Sequence, residues 1–395
     1  MLSTKQPYLR EILLLLGCNT LIFCTMGMNI VIFPTLLLQQ GISESLIGFS
    51  VTVELIASIV ISFFVPRLAK KYSVIYTLLV MLVCYAVIII LLPFYVNFFV
   101  WLFLIFILGI ALFGAIIISH SLYHQFLENQ KRGWYLSLMT IAICLGLSIG
   151  PIIVGFIGAL QYKSFLISGF FALLSTIPAL MLLKNRYNLP LHRHVKFLYF
   201  IKRAPIVFIS KFTQEFIVTS IFALGMVFLL NHNHNFKNAG LALSAFAASA
   251  IVDLGIGYLA DRFNKYRLIS VGVIGICVSM GSLVFYAHHF QAVLAIFFAL
   301  GIFAGFMHIS LTSLVNNRFP KKSLVSANAT LQLIGSSGGI FGALIVGTVM
   351  QFYGNYGFQI VLLGVALICF LLTTLVQIRN RLLLTSQGNS SIHSN

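Results

Sequence analysis

Twelve long apolar stretches follow one another along the chain, separated by short polar connections. They lie at about 11–37, 46–65, 74–92, 98–121, 136–160, 164–183, 205–230, 241–260, 268–287, 292–315, 325–350 and 358–378. Each is close to the roughly 20 residues an α-helix needs to cross a hydrocarbon core about 30 Å thick. The runs are long and continuous, whereas barrel strands alternate apolar and polar over about ten residues. The pattern predicts an all-α integral membrane fold of twelve transmembrane helices, because in lipid a helix satisfies its own backbone. The first run begins with Ile12–Leu16 after Lys5 and Arg10, as a signal peptide would. No small-residue cleavage site follows and the run continues to Leu38, so it is read as a retained first span.

The polar connections orient this ladder. Lys5 and Arg10; Arg67, Lys70 and Lys71; Lys131 and Arg132; Lys184, Arg186, Arg193, Lys196, Lys202 and Arg203; Arg262, Lys265 and Arg267; Arg318, Lys321 and Lys322; and Arg379 and Arg381 all fall on one side, 21 of the 24 Lys and Arg. Lys163 and Lys237 fall on the other side, and Lys211 lies inside span 7. Excess Lys and Arg mark the cytoplasmic side. The expected location is a bacterial inner (plasma) membrane, with both termini in the cytoplasm. The formal charge of +17 is thus a topology signal and not a nucleic-acid footprint. Composition agrees: 8% of residues are charged, against about 25% in soluble domains. Cys18, Cys24, Cys84, Cys144, Cys277 and Cys369 all fall in spans without C-x-x-C spacing, so they read as small packing residues.

The basic connection 184–204 divides six spans from six. The expected organisation is a six-helix bundle at 1–183, a cytoplasmic linker at 184–204, a second bundle at 205–380 and a disordered cytoplasmic tail at 381–395. The halves share features. Pro66-Arg67-Leu68-Ala69-Lys70-Lys71-Tyr72 matches Gly257-Tyr258-Leu259-Ala260-Asp261-Arg262-Phe263 at an offset of 257 − 66 = 191. Gly146-x-x-x-Gly150 matches Gly335-x-x-x-Gly339 at 335 − 146 = 189. Two nearly equal offsets argue for an internal repeat of six helices.

Twelve spans, a basic central connection and Gly257-x-x-x-Asp261-Arg262 together resemble the major facilitator superfamily over about residues 10–380. The family pattern G-x-x-x-D-[RK] is normally strongest between spans 2 and 3. Here that copy is degraded to Pro66, Lys70 and Lys71, and the intact copy lies in the second half. The stretch Ser326 to Gly354 also looks like a bacterial branch of the superfamily that implies no substrate. The resemblance implies two six-helix bundles moving about a central site. It also implies a conformational latch: Asp261 meeting the positive N-terminal end of helix 5, beside Arg132, with Gly257 allowing close approach. The alternative is a turn with solvated charges. Gly146-x-x-x-Gly150-Pro151-x-x-x-Gly155 resembles the span-5 motif of drug and metabolite antiporters, although Ser137 stands where that pattern has an upstream Gly. Small residues at this spacing equally serve plain helix packing, as do Gly335 and Gly339.

Only seven acids occur in the chain. Glu54, Glu215 and Asp253 lie inside spans, where an ionised group costs several kcal/mol and marks a candidate functional site. Glu215 is ten residues past Pro205, roughly 15 Å deep at about 1.5 Å per residue. Desolvation disfavours the charged form of such a carboxylate. It can therefore exchange a proton when its cavity opens, which is what proton coupling requires. Lys211 shares a helix face with Glu215 at i, i+4, or it snorkels to the interface. His308 lies in span 10, either titrating or packed. His232, His234, His288 and His289 read as solvated turn residues rather than metal ligands. Asn19, Asn29 and Gln214 are buried amides that hydrogen-bond either cargo or neighbouring helices.

The resulting expectation is a proton-coupled secondary transporter exporting a small organic molecule by alternating access. Metabolite uptake by proton symport uses the same acids and stays open beside it, and a transport-inactive membrane sensor is the remoter alternative. No clustered metal ligands, nucleophile with base, or G-x-x-x-x-G-K-[ST] loop occurs, so enzymatic and ATP-driven readings are set aside and no cofactor is called for. The expected partners are the substrate, protons and lipid. A single twelve-span chain can enclose its own pathway, so a monomer is expected.

Overall fold

A computed structural model describes residues 8–95, 97–127, 132–158, 162–183, 197–320 and 323–392. All regular structure among them is helical. The first half comprises α1 (Leu9–Gln39), α2 (Glu44–Tyr72), α3 (Val74–Leu91), α4 (Phe98–Phe126), α5 (Arg132–Ile157), and α6 (Tyr162–Leu174) continued past Ser175 by α7 (Thr176–Leu180). A short helix, α8 (Phe197–Arg203), precedes the second half: α9 (Pro205–Asn231), α10 (Phe236–Ala248), α11 (Asp253–Arg262), α12 (Lys265–Tyr286), α13 (Phe290–Arg318), α14 (Leu324–Tyr353) and α15 (Tyr356–Ile392). Local chemistry explains the short connections. Asn97, Asn235 and Asn264 each accept a backbone N–H at the start of α4, α10 and α12, satisfying donors that a helix start leaves free. Pro205 opens α9, where its missing N–H is harmless.

Among the described residues, eleven segments are long and apolar enough to span a membrane. The remaining span is broken: α10 and α11 are separated by a 3-10 segment, Ser249–Val252. Two further details concern the linker and the C-terminal end. The linker carries α8, whose Phe200 is buried edge-on against Phe319, with ring centroids 5.1 Å apart. The backbone of α15 stays helical to Ile392, where a disordered tail was expected from 381.

Glycines set the helix contacts. A Cβ on Gly146 would collide with the Thr20 carbonyl of α1, and one on Gly150 with the Cys24 carbonyl. In the second half, Gly338 and Gly342 of α14 stand in the same way against the Phe212 and Phe216 carbonyls of α9. Both members of each pair are shifted by one constant, 338 − 146 = 192 and 212 − 20 = 192. The structural counterparts of Gly146 and Gly150 are therefore Gly338 and Gly342, three residues beyond the Gly335 and Gly339 suggested by motif matching. The offset recurs. Gly109 lies under Glu54 and Ala57, as Gly301 lies under Phe246 and Ser249. The 191 offset of the basic motif lies past the 3-10 segment. Four residues rising about 2.0 Å rather than 1.5 Å each gain about 2 Å, close to one residue.

The same symmetry governs how the halves meet. Gly48 of α2 abuts the Ala343 carbonyl of α14, and Gly240 of α10 abuts the Pro151 carbonyl of α5. Glu44 carbonyl faces Gly347, and Lys237 faces Gly155. Deeper in, the Thr52 hydroxyl donates to the Ile340 carbonyl (3.1 Å) and the Ser244 hydroxyl to the Ser148 carbonyl (2.6 Å). These contacts run from the face opposite the basic connections inward by eight or nine residues, about 13 Å at helical rise.

Substituting Gly150 or Gly342 with Leu is expected to lower folding stability by about 1–3 kcal/mol or more through overpacking. Gly281→Ala, where the site is open, is expected to be near neutral. Thermal unfolding of the purified chain in detergent checks both.

Candidate functional site

Span 7 is apolar except for a few positions. Three of these, Lys211, Gln214 and Glu215, stand at i, i+3 and i+4 on one face of α9. Lys211 is 1% exposed, so its ammonium must be satisfied by the protein. Its Nζ donates to Glu215 Oε1 at 2.6 Å and to Gln214 Oε1 at 2.7 Å, and lies 3.2 Å from His308 Nδ1 on α13. An ammonium has three N–H donors and no acceptor. Nδ1 of His308 is therefore the acceptor, which leaves the ring proton on Nε2. All three donors are used, and Lys211 does not snorkel to the interface. Lys211–Glu215 is the one ion pair found among the described residues. The Glu215 side chain keeps 23% of its exposure and His308 is exposed, so both line open space while Lys211 is sealed behind them.

Gly335 makes room for this group. A Cβ there would lie 2.9 Å from Glu215 Cγ and 3.0 Å from Lys211 Cε. Gly339, one turn on, faces Thr219 of α9 and Leu55 of α2. Sequence spacing assigned both glycines to packing, and the seat for the ion pair was not legible from it. Of the span-5 set, Gly146 and Gly150 face α1 within their own half; Pro151 sets its ring against Gly27 of α1 and its carbonyl against Gly240 of α10, and Gly155 faces α10 across the halves. The first two therefore do not line the bundle interface, because backbone contact with α1 uses up their face.

A second polar group sits in the first half. Ser168 Oγ donates to Asn29 Oδ1 (2.8 Å), and Asn29 Nδ2 donates to Tyr85 Oη (3.1 Å). Glu54 is partly exposed and interacts electrostatically with Tyr85. Asn19 is fully buried, donates to the Leu15 carbonyl (2.8 Å) and accepts from Ser119 Oγ (2.9 Å). Asn19 and Asn29 therefore do not offer free amides to a cavity. In apolar surroundings a neighbouring hydroxyl or carbonyl satisfies them instead. Tyr85, Ser119 and Ser168 carry no motif and were invisible in the sequence.

Asp253 begins α11 and is brought to neither group. Its Oδ1 is buried against Gly305 of α13 without a hydrogen-bond partner among the described residues. Gly257 has open space around it, and Arg262 stacks on Tyr258 (4.3 Å). The side chains of Asp261 and Arg132 lie outside the described residues. Of the turn histidines, His234 is buried with Nε2 2.6 Å from the Ala287 carbonyl, so it is not solvated. It ties two connections of the second half together. His232 has Nδ1 2.8 Å from the Phe228 carbonyl, and burial together with neighbouring His288 holds its pKa below the usual imidazole value. No group of three or more His, Cys, Asp or Glu able to hold a metal occurs among the described residues.

The family model of the Major Facilitator Superfamily matches residues 15–251 and 207–382, and the chain belongs to that superfamily. It is a multi-pass membrane transporter of that fold. No curated protein matches the sequence. Solved structures with the same fold include the nucleoside transporter NupG, 15% identical, covering 93% of this chain and 98% of that one with a TM-score of 0.77. A bacterial homologue of the human lysosomal transporter Spinster, in an inward-facing and occupied conformation, is 12% identical over 94% and 98% with a TM-score of 0.75. A bacterial metal transporter is 14% identical over 93% and 98% with a TM-score of 0.66.

Removing one partner of a buried pair leaves the other uncompensated, at about 3–5 kcal/mol. Glu215→Gln still offers Nζ an amide oxygen and should be the milder change, whereas Lys211→Met strips Glu215, Gln214 and His308 of their shared donor. Lys211→Met is expected to destabilise strongly, and the double variant Lys211→Met/Glu215→Gln should recover most of that loss. Thermal unfolding of the three variants in a double-mutant cycle measures the coupling.

Proposed function

We propose that this chain is a proton-coupled secondary transporter that exports a small organic molecule by alternating access. The observation that carries the reading is the threefold satisfaction of Lys211 by Glu215, Gln214 and His308. A proton on Glu215 removes the counter-charge of a buried ammonium. The site must then rearrange, or a bound molecule must replace the lost acceptor. Proton occupancy and site geometry are linked by that requirement, as two ligands are linked through one conformational equilibrium. Cargo would meet Glu215 and His308 first, since they are the members of the group with exposed surface.

The inter-half contacts support a cavity open toward the basic face. We infer that this face is the cytoplasmic side of a bacterial inner membrane and that both termini lie there. In the opposite state, Asp261 near the start of α5 would serve as the latch, and the open space at Gly257 fits its release here. The outward direction rests on Gly146, Gly150, Pro151 and Gly155 as an antiporter-like stretch. Uptake of nucleosides, lysosomal-type substrates or metals is not inferred from fold likeness at 12–15% identity.

The test is intracellular retention of a broad small-molecule panel. Cells lacking the gene are compared with cells expressing wild type or Glu215→Gln. A compound depleted by wild type and not by the variant supports export with Glu215 as the coupling acid. Glu215→Gln is expected to abolish pH-dependent flux with expression intact. Unchanged flux would sink the assignment, and accumulation by wild type would reverse the direction.

A further inference from the structure

The break in span 8 is where the two halves part in backbone as well as in side chains. Positions 57 and 61 of α2 correspond to 249 and 253 of span 8 at the common offset of 192. In the first half these positions hold Ala57, over Gly109, and Ile61, against Gly114, and α2 runs unbroken from Glu44 to Tyr72. In the second half they hold Ser249 and Asp253, over Gly301 and Gly305 of α13, and the α-helix is interrupted from Ser249 to Val252. A Cβ on Gly301 would overlap Ser249 Oγ, and one on Gly305 would overlap Asp253 Oδ1. Ser249 is satisfied, donating to the Phe246 carbonyl at 2.7 Å. Among the described residues Asp253 Oδ1 has no partner.

We propose that Asp253 docks on Gly305 only when protonated, and that losing this proton undocks it and swings α11 about the Ser249–Val252 break. An ionised carboxylate spreads its charge over both oxygens. Holding one of them unpaired in a dry contact costs several kcal/mol. A neutral carboxyl can rest its carbonyl oxygen on the glycine Cα–H, a weak attraction that only a residue without Cβ permits. The 3-10 segment supplies the hinge, since its hydrogen bonding is poorer than that of the α-helix on either side. The moving piece carries Gly257, Asp261 and Arg262.

Among the described residues no charged group pairs with Asp253. From α5 the titratable group facing it is Cys144, and from α13 it meets Gly305. His308, one turn further on α13, is engaged by Lys211 instead. Arg262, on α11 itself, is exposed and stacked on Tyr258. The purpose of such a hinge rests on the proton-coupled reading above, but its test does not need any flux.

Hydrogen exchange, read by mass spectrometry on the full chain in nanodiscs, follows the segment from Ser244 to Arg262 in mildly acid and mildly alkaline buffer. After correction for intrinsic rates, wild type is expected to exchange about tenfold faster on the alkaline side as the segment opens locally. Asp253→Asn, which mimics the protonated side chain, is expected to stay protected in both buffers. Gly305→Ala, whose methyl group fills the seat, should exchange fast in both. Glu215→Gln should keep the wild-type response. A pH-independent wild type, an Asn variant that follows wild type, or loss of the response in Glu215→Gln would each overturn the proposal. If Gly305→Ala fails to fold, the comparison of Asp253→Asn with wild type decides alone. A failed transport assay bears only on the Glu215 reading, so the two are distinguishable.

Discussion

Close backbone approach at glycine is the contact on which the rest of this structure depends. Lipid chains are as apolar as leucine, so helices in a bilayer gain little by hiding hydrophobic surface from their surroundings. What holds them is van der Waals contact and a few hydrogen bonds, and both strengthen as backbones come closer. Gly146 and Gly150 bring α5 onto α1; Gly338 and Gly342 bring α14 onto α9. Gly48 and Gly240 then bring the two halves together at one face. One glycine pattern, repeated 192 residues later, builds each bundle and then joins them.

On this common frame the two halves carry different chemistry. Where α1 has Asn19, α9 has Lys211. Where α2 has Ala57 and Ile61, span 8 has Ser249 and Asp253. In the first half the buried amides meet neutral partners: Asn19 with Ser119, and Asn29 with Tyr85 and Ser168. The second half places an ammonium, a carboxylate and an imidazole in contact, and leaves an Asp253 oxygen without a partner among the described residues. A neutral network in an apolar interior stays as it is, whereas titratable groups there are held in one form only by their surroundings. The frame is symmetric, and the contacting cluster of titratable side chains lies in the half that starts at Pro205.

Much of this was legible before any coordinates. Twelve apolar runs, the one-sided distribution of Lys and Arg, and the repeat follow from hydropathy and spacing. Intramembrane Glu54, Glu215 and Asp253 stand out because charge is rare in hydrocarbon. The i, i+4 spacing of Lys211 and Glu215 foretold that they share a face. Harder to read were the partners of each polar group. His308 lies 97 positions from Lys211, and no local pattern connects them. Asn19 and Asn29 look alike in sequence to an amide that lines a cavity. Gly335 and Gly338 both face α9 and sit only about 60° apart around α14, a difference that residue spacing alone does not weigh.

The sequence by itself determined what must be true of any chain crossing a membrane: the number of spans, the sidedness of its basic connections and the duplication of its halves. Each of these follows from the solvent, which acts on every segment separately. Only the tertiary structure decided the 192-residue register, the interruption of span 8 and the assembly of Lys211, Gln214, Glu215 and His308. Those depend on which helix face meets which neighbour. That choice is made by steric fit between residues far apart in the chain.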